Sequence, residues 1–83
     1  MNYNFSTGFI AIKFKNKGIF TSHKGYTYPI DANDEIIINV SKIVYIRWRK
    51  QTNEVLIHMD DTSEYIFRGN MNDLYASVEQ KNF

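Results

Sequence analysis

The sequence predicts an α+β fold, in which a small, curved antiparallel sheet of five or six strands forms a partial barrel and packs against one C-terminal helix. Two observations carry this prediction. Short segments before residue 69 alternate between apolar and polar side chains, which is typical of half-buried strands. After Gly69 the apolar residues recur with the period of a helix. No linker or internal repeat interrupts the 83 residues, so we expect a single domain over residues 1–83.

The first half of the chain contains three predicted strand segments. Residues 9–15 alternate clearly and predict the first strand. The Asn-Lys-Gly turn at residues 16–18 predicts a hairpin whose second strand covers residues 19–22. Residues 26–30 predict either a short edge strand or an ordered loop, because Pro29 lacks the amide hydrogen that an inner strand requires.

Residues 36–50 supply two further predicted strands. The run at residues 36–40 is rich in β-branched residues and is expected to be largely buried. Residues 42–50 alternate, so this strand has one apolar face and one face that carries aromatic and basic side chains. The apolar face comprises Val44, Ile46 and Trp48, and the second face comprises Ile43, Tyr45, Arg47 and Arg49.

Residues 54–59 and 64–68 predict the strongest hairpin, because turn-forming Asp, Thr and Ser residues lie between two alternating runs. A five-residue loop would pair Met59 with Tyr65. One face of this hairpin then holds Val55, Ile57, Met59, Tyr65 and Phe67, and the other holds Leu56, His58, Ile66 and Arg68.

A helix of about ten residues is predicted after Gly69, with Asn70 as its N-cap and Asp73 in its first turn. Its apolar stripe comprises Met71, Leu74, Tyr75 and Val78. A helix this short is unstable alone and must dock on the sheet, yet it does not cover five strands. We therefore expect the remaining apolar strand positions to be closed by sheet curvature, by loop aromatics or by another chain.

The charges exclude some function classes and are unevenly distributed. The net charge of +1 does not indicate an obligate nucleic-acid binder. Eight basic and three acidic residues lie between Lys13 and Lys50, whereas two basic and six acidic residues follow. This asymmetry indicates opposed charged faces, or alternatively a sheet that interleaves the two segments in space.

The composition also limits compartment and ligand type. The chain has no cysteine, which excludes a disulfide framework and a Cys-based zinc site. No apolar run is long enough to span a membrane, and the first residues lack a signal-peptide pattern, so we expect a soluble, cytoplasmic protein. A domain this small has little apolar area for a deep pocket, so any ligand is expected on the surface or between subunits.

Catalytic and metal-binding patterns are weak. His58 and Asp60 share a strand face, which suits a general base or two metal ligands, although a solvated histidine beside a turn is the simpler interpretation. Asp31, Asn33 and Glu35 match only the first positions of a calcium loop, and the glycine that such a loop needs is missing. We therefore expect no enzymatic activity, no cofactor and no metal site.

The segment that most suggests recognition is residues 41–51, where Tyr45, Arg47 and Arg49 share a face. Arg and Tyr are common at the centres of protein interfaces, and they also contact phosphates and stack on bases. The alternative is that the arginines are merely solvated and that Tyr45 lies under the helix. The predicted partner-binding set comprises Tyr45, Arg47, Arg49 and Arg68, with Tyr26 and Tyr28 as secondary contacts.

The sequence therefore predicts a small non-enzymatic protein-interaction module, a bacterial or phage-type regulator or inhibitor. It would present a sheet face to a protein partner and form a homo-oligomer. The alternative is a nucleic-acid or nucleotide-binding module, in which the basic half between Lys13 and Lys50 contacts phosphates and tyrosines stack on bases.

Overall fold

Two antiparallel sheets and one helix make up the structure, a computed structural model that describes residues 8–81. The strands are β1 (Phe9–Lys13), β2 (Gly18–Thr21), β3 (Thr27–Ile30), β4 (Glu35–Asn39), β5 (Ile43–Arg49), β6 (Glu54–Met59), β7 (Glu64–Arg68) and β8 (Val78–Lys81), and the helix α1 spans Met71–Ser77. The larger sheet has the strand order β3-β2-β7-β6-β5, and the smaller sheet has the order β4-β1-β8. Neither sheet closes on itself, which confirms the predicted α+β class with curved antiparallel sheet.

The two sheets pack on a common apolar core. Strand alternation turns Val55, Ile57 and Phe67 of the larger sheet toward Ile12 and Ile38 of the smaller sheet, and all five side chains are at most 2% exposed. Met59, Phe14, Ile10, Ile30 and Leu74 complete the buried cluster. The core therefore lies between the sheets, and each strand of the larger sheet has a second face that points away from it.

Two corners carry the chain from the smaller sheet to the larger one. Phe14 follows β1 at the first corner, and its ring stacks on Phe67 at a centroid distance of 4.9 Å. At the second corner a 3-10 turn, Val40–Lys42, connects β4 with β5. The Asn39 side chain accepts a hydrogen bond from the Ser41 N–H and caps this turn. The first corner sends β2 into the larger sheet, so the hairpin that the sequence predicted between residues 9–15 and 19–22 does not form, and β1 pairs with β4 and β8 instead.

The hairpin formed by β6 and β7 has the predicted faces but a tighter turn. Tyr65 pairs with Ile57, not with Met59, and the Met59 N–H donates to the Ser63 carbonyl at 2.9 Å. The loop shortens to three residues because Thr62 adopts a left-handed conformation, with φ of 70°. The pairing differs by two residues from the prediction, so every side chain stays on its expected face.

The helix begins as predicted and ends earlier. Asn70 and Asp73 form a reciprocal capping box, in which each side chain accepts the other's backbone N–H at 2.9 Å. Val78, which the sequence placed in the helix, is the first residue of β8 and pairs with Ile12. Val78 forms backbone hydrogen bonds with the free edge of β1, and this tertiary pairing outweighs the helical pattern of the sequence.

Residues 27–30 form an edge strand, not an ordered loop, which settles the alternative that the sequence left open.

Gly18 is required where β2 pairs with β7. A Cβ atom at this position would lie 2.5 Å from the Ile66 carbonyl oxygen and 3.0 Å from the Phe67 ring.

We expect Gly18→Ala to lower the free energy of unfolding by about 1–3 kcal/mol, because the two strands must separate to admit a methyl group. Urea unfolding followed by Trp48 fluorescence measures this loss. Thr27→Ala, at an exposed site on the neighbouring edge strand, is the control and should change stability by less than about 0.5 kcal/mol. Equal stability of Gly18→Ala and the parent protein would contradict the strand spacing.

Candidate functional site

The face of the larger sheet that points away from the core is here called the outward face. Strand register arranges its side chains in three rows that run across the sheet. The first row is Tyr45, His58, Glu64, Thr21 and Thr27; the central row is Arg47, Leu56, Ile66, Ile19 and Pro29; the third row is Arg49, Glu54 and Arg68. The outward face therefore brings together all four residues that the sequence predicted as primary contacts.

The central row forms an apolar stripe between two polar rows. Leu56 is only 3% exposed although it lies outside the core cluster, so the side chains beside it on the outward face must cover it. Ile66 is half-buried, and Ile19 is 44% exposed. The stripe thus becomes more accessible from β6 toward β2.

In the first row, Tyr45, His58 and Glu64 form a connected group. The Tyr45 and His58 rings stack with centroids 4.8 Å apart and planes 9° apart, and His58 Nδ1 lies 3.1 Å from Glu64 Oε2. One face of the Tyr45 ring is therefore occupied by His58. Tyr45 lies on the opposite face of the sheet from the core, so it is not buried under the helix.

The predicted pairing of His58 with Asp60 does not form. Asp60 lies in the turn after β6, where its N–H donates to the Lys42 carbonyl at 2.8 Å and its carboxylate pairs with Lys42 at 3.6 Å. The turn removes Asp60 from the strand alternation, and Glu64 on β7 takes its place beside His58.

The arginines of the outward face differ in their ion pairs within residues 8–81. Arg49 lies 3.9 Å from Glu54, an exposed ion pair that contributes little stability. Neither Arg47 nor Arg68 forms an ion pair with any residue in the described range 8–81. Arg47 ends the central row at β5, and Arg68 adjoins Ile66 on β7. Arg47 therefore lies at one end of the apolar stripe of Leu56, Ile66 and Ile19, and Arg68 lies along one side of it.

A depression of about 370 Å³ lies at the β2 end of this surface. Gly18, Ile19 and Ile66 supply apolar lining, and Lys17, Arg68 and Glu54 supply charges. The Asn16 side-chain amide donates to the Arg68 carbonyl at 3.0 Å and holds the β1–β2 loop beside the depression. The site can therefore accept an apolar group next to a carboxylate.

Sequence reasoning missed Ile19, and it assigned Lys17 only to the basic half that contacts phosphates in the nucleic-acid alternative. Ile19 alternates with Phe20 along the predicted hairpin, which was the available signal for its outward direction. That β2 lies next to β7, which brings Lys17 and Ile19 close to Arg68, follows only from the tertiary pairing.

The structure does not place Tyr26 and Tyr28 with the other predicted contacts. Tyr28 lies opposite Phe20 on β3, on the side of the sheet that faces the core, and the two rings stack at 6.3 Å. Tyr26 lies in the turn before β3 and is 63% exposed. Both tyrosines are at the opposite edge of the larger sheet from Tyr45.

The basic and acidic segments of the chain interleave and do not form opposed faces. β5, which carries Arg47 and Arg49, pairs along its length with β6 from the acidic segment. The ion pairs Arg49–Glu54 and Lys42–Asp60 connect the two segments directly.

Within the described range, no three His, Asp or Glu side chains converge as metal ligands. None of the helices described has both the length and the apolar character that crossing a membrane requires. Comparison of the chain with protein-family models, with curated proteins and with solved structures finds no match.

Asp61 stabilises the turn of the β6–β7 hairpin that carries the outward face. The Ser63 hydroxyl and the Ser63 N–H both donate to its carboxylate, and these bonds hold the pKa of Asp61 below its ordinary value of 3.8. Ser63 itself is only 4% exposed, so the carboxylate satisfies a buried hydroxyl. On the same hairpin, burial and the Asp61 charge raise the pKa of Tyr65 above 10.0.

The lowered pKa of Asp61 predicts a specific dependence of stability on pH. The ionised carboxylate stabilises the fold fully above pH 3.8, and this contribution is lost as the pH falls through the lower folded-state pKa. We expect the parent protein to be more stable than Asp61→Asn at pH 7 and the difference to shrink toward pH 2. Urea unfolding of both proteins at several pH values between 7 and 2 measures the difference in their free energies of unfolding. A difference that stays constant between pH 7 and pH 2 would contradict the assigned role of Asp61.

Proposed function

We propose that the protein is a small non-enzymatic interaction module that binds a protein partner through the outward face. The observation that carries this proposal is the placement of Arg47 and Arg68, without ion-pair partners in the described chain, at one end and along one side of an apolar stripe. Protein interfaces combine an apolar centre with a polar rim, and arginine and tyrosine contribute much of their binding energy. The stacked Tyr45 adds a rigid aromatic ring to this surface.

The chemistry of the surface specifies the partner further. Lys17 and Arg68 beside the depression suit a carboxylate, and Ile19 and Ile66 suit an aliphatic or aromatic side chain. The partner segment would thus carry an acidic residue next to an apolar one. Docking of this kind blocks or recruits a partner without chemical change, which is the action of a regulator or inhibitor of bacterial or phage type. A cytoplasmic site of action stays a prediction from the absence of cysteine.

A nucleic-acid or nucleotide ligand has less support from the same surface. Glu54 and Glu64 interrupt the basic residues of the outward face, so the face lacks the continuous basic track that a run of phosphates needs, whereas a single carboxylate needs only Lys17 and Arg68. A surface that stacks nucleic-acid bases needs several accessible aromatic rings, whereas His58 covers one face of the Tyr45 ring. Tyr26 and Tyr28 lie at the far edge of the sheet.

Selection from a phage-displayed library of random peptides, each about 12 residues long, tests the proposed partner chemistry. We expect enriched peptides to combine Asp or Glu with Leu, Ile or Phe. Arg47→Glu and Arg68→Glu should each weaken the best peptide by about tenfold or more, because each reverses a charge at the edge of the stripe. Lys24→Glu makes the same charge change in the exposed β2–β3 turn and is the matched control.

Two results would count against the protein-partner proposal. One is enrichment of peptides that bind the parent protein and both arginine variants equally. The other is tight binding of an oligo-dT strand of about 20 nucleotides that falls steeply between about 50 and 200 mM salt and is lost in Arg47→Glu. The second result would support the nucleic-acid alternative.

We also propose that the chain forms a homodimer through β5. β5 is the outermost strand of the larger sheet, and Val44, Ile46 and Trp48 on it are 59%, 40% and 38% exposed. Antiparallel pairing of two β5 strands about Ile46 sets Arg47 opposite Tyr45 of the second copy, which avoids apposed arginines. The register shift between Ile43 and Tyr45 limits the length of regular pairing, so the dimer would be weak.

Light scattering over increasing protein concentration tests the dimer. The mass should rise above the 9.8 kDa of one chain at concentrations of hundreds of micromolar. Ile46→Lys should keep the protein monomeric, because it adds a charge at the centre of the paired strands. Ile37→Lys, at a similarly exposed position on the smaller sheet, is the control and should still dimerise. A monomeric mass for the parent protein up to about 1 mM would refute the β5 dimer.

A further inference from the structure

A second concave site lies on the other side of the larger sheet from the outward face. It is a cleft of about 350 Å³ between the core-facing side of the larger sheet, the smaller sheet and α1. The residues that line it are Ile10, Ile12, Val40, Ile43, Ile46, Ile57, Leu74, Tyr75 and Val78. The two surfaces therefore share no residue and differ in chemistry.

The shape of the cleft suits a compact molecule. Ile12, Ile57 and Leu74 form a floor that is at most 2% exposed, whereas Ile46 and Tyr75 at the rim are 40% and 69% exposed. The lining comes from β1, the 3-10 turn, β5, β6, α1 and β8, so walls rise on several sides.

The lining also specifies the charge of the occupant. Eight of its nine side chains are aliphatic, and the ninth is Tyr75. A charged group placed among them would lose hydration without gaining an ion-pair partner. An uncharged hydrocarbon loses nothing comparable and gains burial of its surface. The volume lies within the range of small-molecule sites in proteins.

The composition of this small domain predicted that any ligand would lie on the surface or between subunits. The cleft opens at the surface between Ile46 and Tyr75, and tertiary structure brings its lining together from elements that are distant in the chain. Val78 belongs to β8 and Val40 to the corner turn, and α1 brings Leu74 and Tyr75 to the same opening.

We propose that the cleft binds one uncharged small molecule that consists largely of hydrocarbon, such as a medium-length aliphatic alcohol. Its binding is independent of a partner on the outward face, because the sheet separates the two sites.

Titration with the neutral fluorophore N-phenyl-1-naphthylamine, at protein concentrations where the chain is monomeric, tests this proposal. We expect a saturable rise in fluorescence with one site per chain and a dissociation constant on the order of 10 to 100 μM. 1-Decanol should displace the probe at least about tenfold more effectively than decanoate, because the carboxylate finds no cation in the lining. Absence of saturable binding, or equal displacement by decanol and decanoate, would overturn the proposal.

Substitutions locate the bound probe. Val78→Phe places a ring inside the cleft and should weaken probe binding by about tenfold, whereas Val44→Phe makes the same change outside the lining and should not. Tyr75→Ala removes an exposed rim residue without disturbing the core, so it tests the site even if Val78→Phe unfolds. We expect Tyr75→Ala to weaken binding several-fold. Equal binding of the probe by Tyr75→Ala and the parent protein would place the probe outside the cleft and refute the proposal.

Discussion

The period-two alternation of side chains along β6 and β7 is the constraint on which the rest of the structure depends. Val55, Ile57 and Phe67 are at most 1% exposed, and they occupy one face of this hairpin. A slip of one residue in either strand would bring polar side chains into the core and expose these three, so the register is strongly specified. Once the core-facing set is placed, the positions of Leu56, Ile66 and Arg68 on the outward face follow without further choice.

The same constraint explains why the outward face combines apolar and charged residues. β6 and β7 are inner strands of the larger sheet, so the side chains on both of their faces have cross-strand neighbours that partly shield them from solvent. Apolar residues at Leu56 and Ile66 gain burial there without contact with the core. The flanking rows supply long polar side chains, and arginine covers apolar neighbours with its stem while its guanidinium stays hydrated. An apolar stripe with a charged border results.

The corners of the fold account for the cleft on the other side. The chain leaves the smaller sheet after β1 and β4, so these corners join the two sheets, and Val40 of the second corner lines the cleft between them. α1 fills part of the space between them, and Leu74 is its buried residue. A helix of seven residues does not fill all of it. Tyr75, which the sequence placed in the docking stripe of the helix, instead lies exposed with Ile46 at the rim of this space.

The local sequence predicts the hairpin at residues 54–68, the capped start of the helix at Asn70 and most strand faces, but not that of Ile43, which the β5 bulge turns toward Met59 and the core. Each of these depends on residues close together in the chain: alternation within a strand, turn formers between two strands, and a side chain that bonds a backbone group three residues later. Only the tertiary structure decided that β8 joins β1, that β2 lies beside β7, and that Tyr28 lies at the far edge from Tyr45. These features depend on which strand edges meet, and backbone hydrogen bonds between strands carry almost no signature in the side chains. The depression beside Arg68 and the cleft beneath Tyr75 both arise from such meetings, because each is lined by residues distant in the chain.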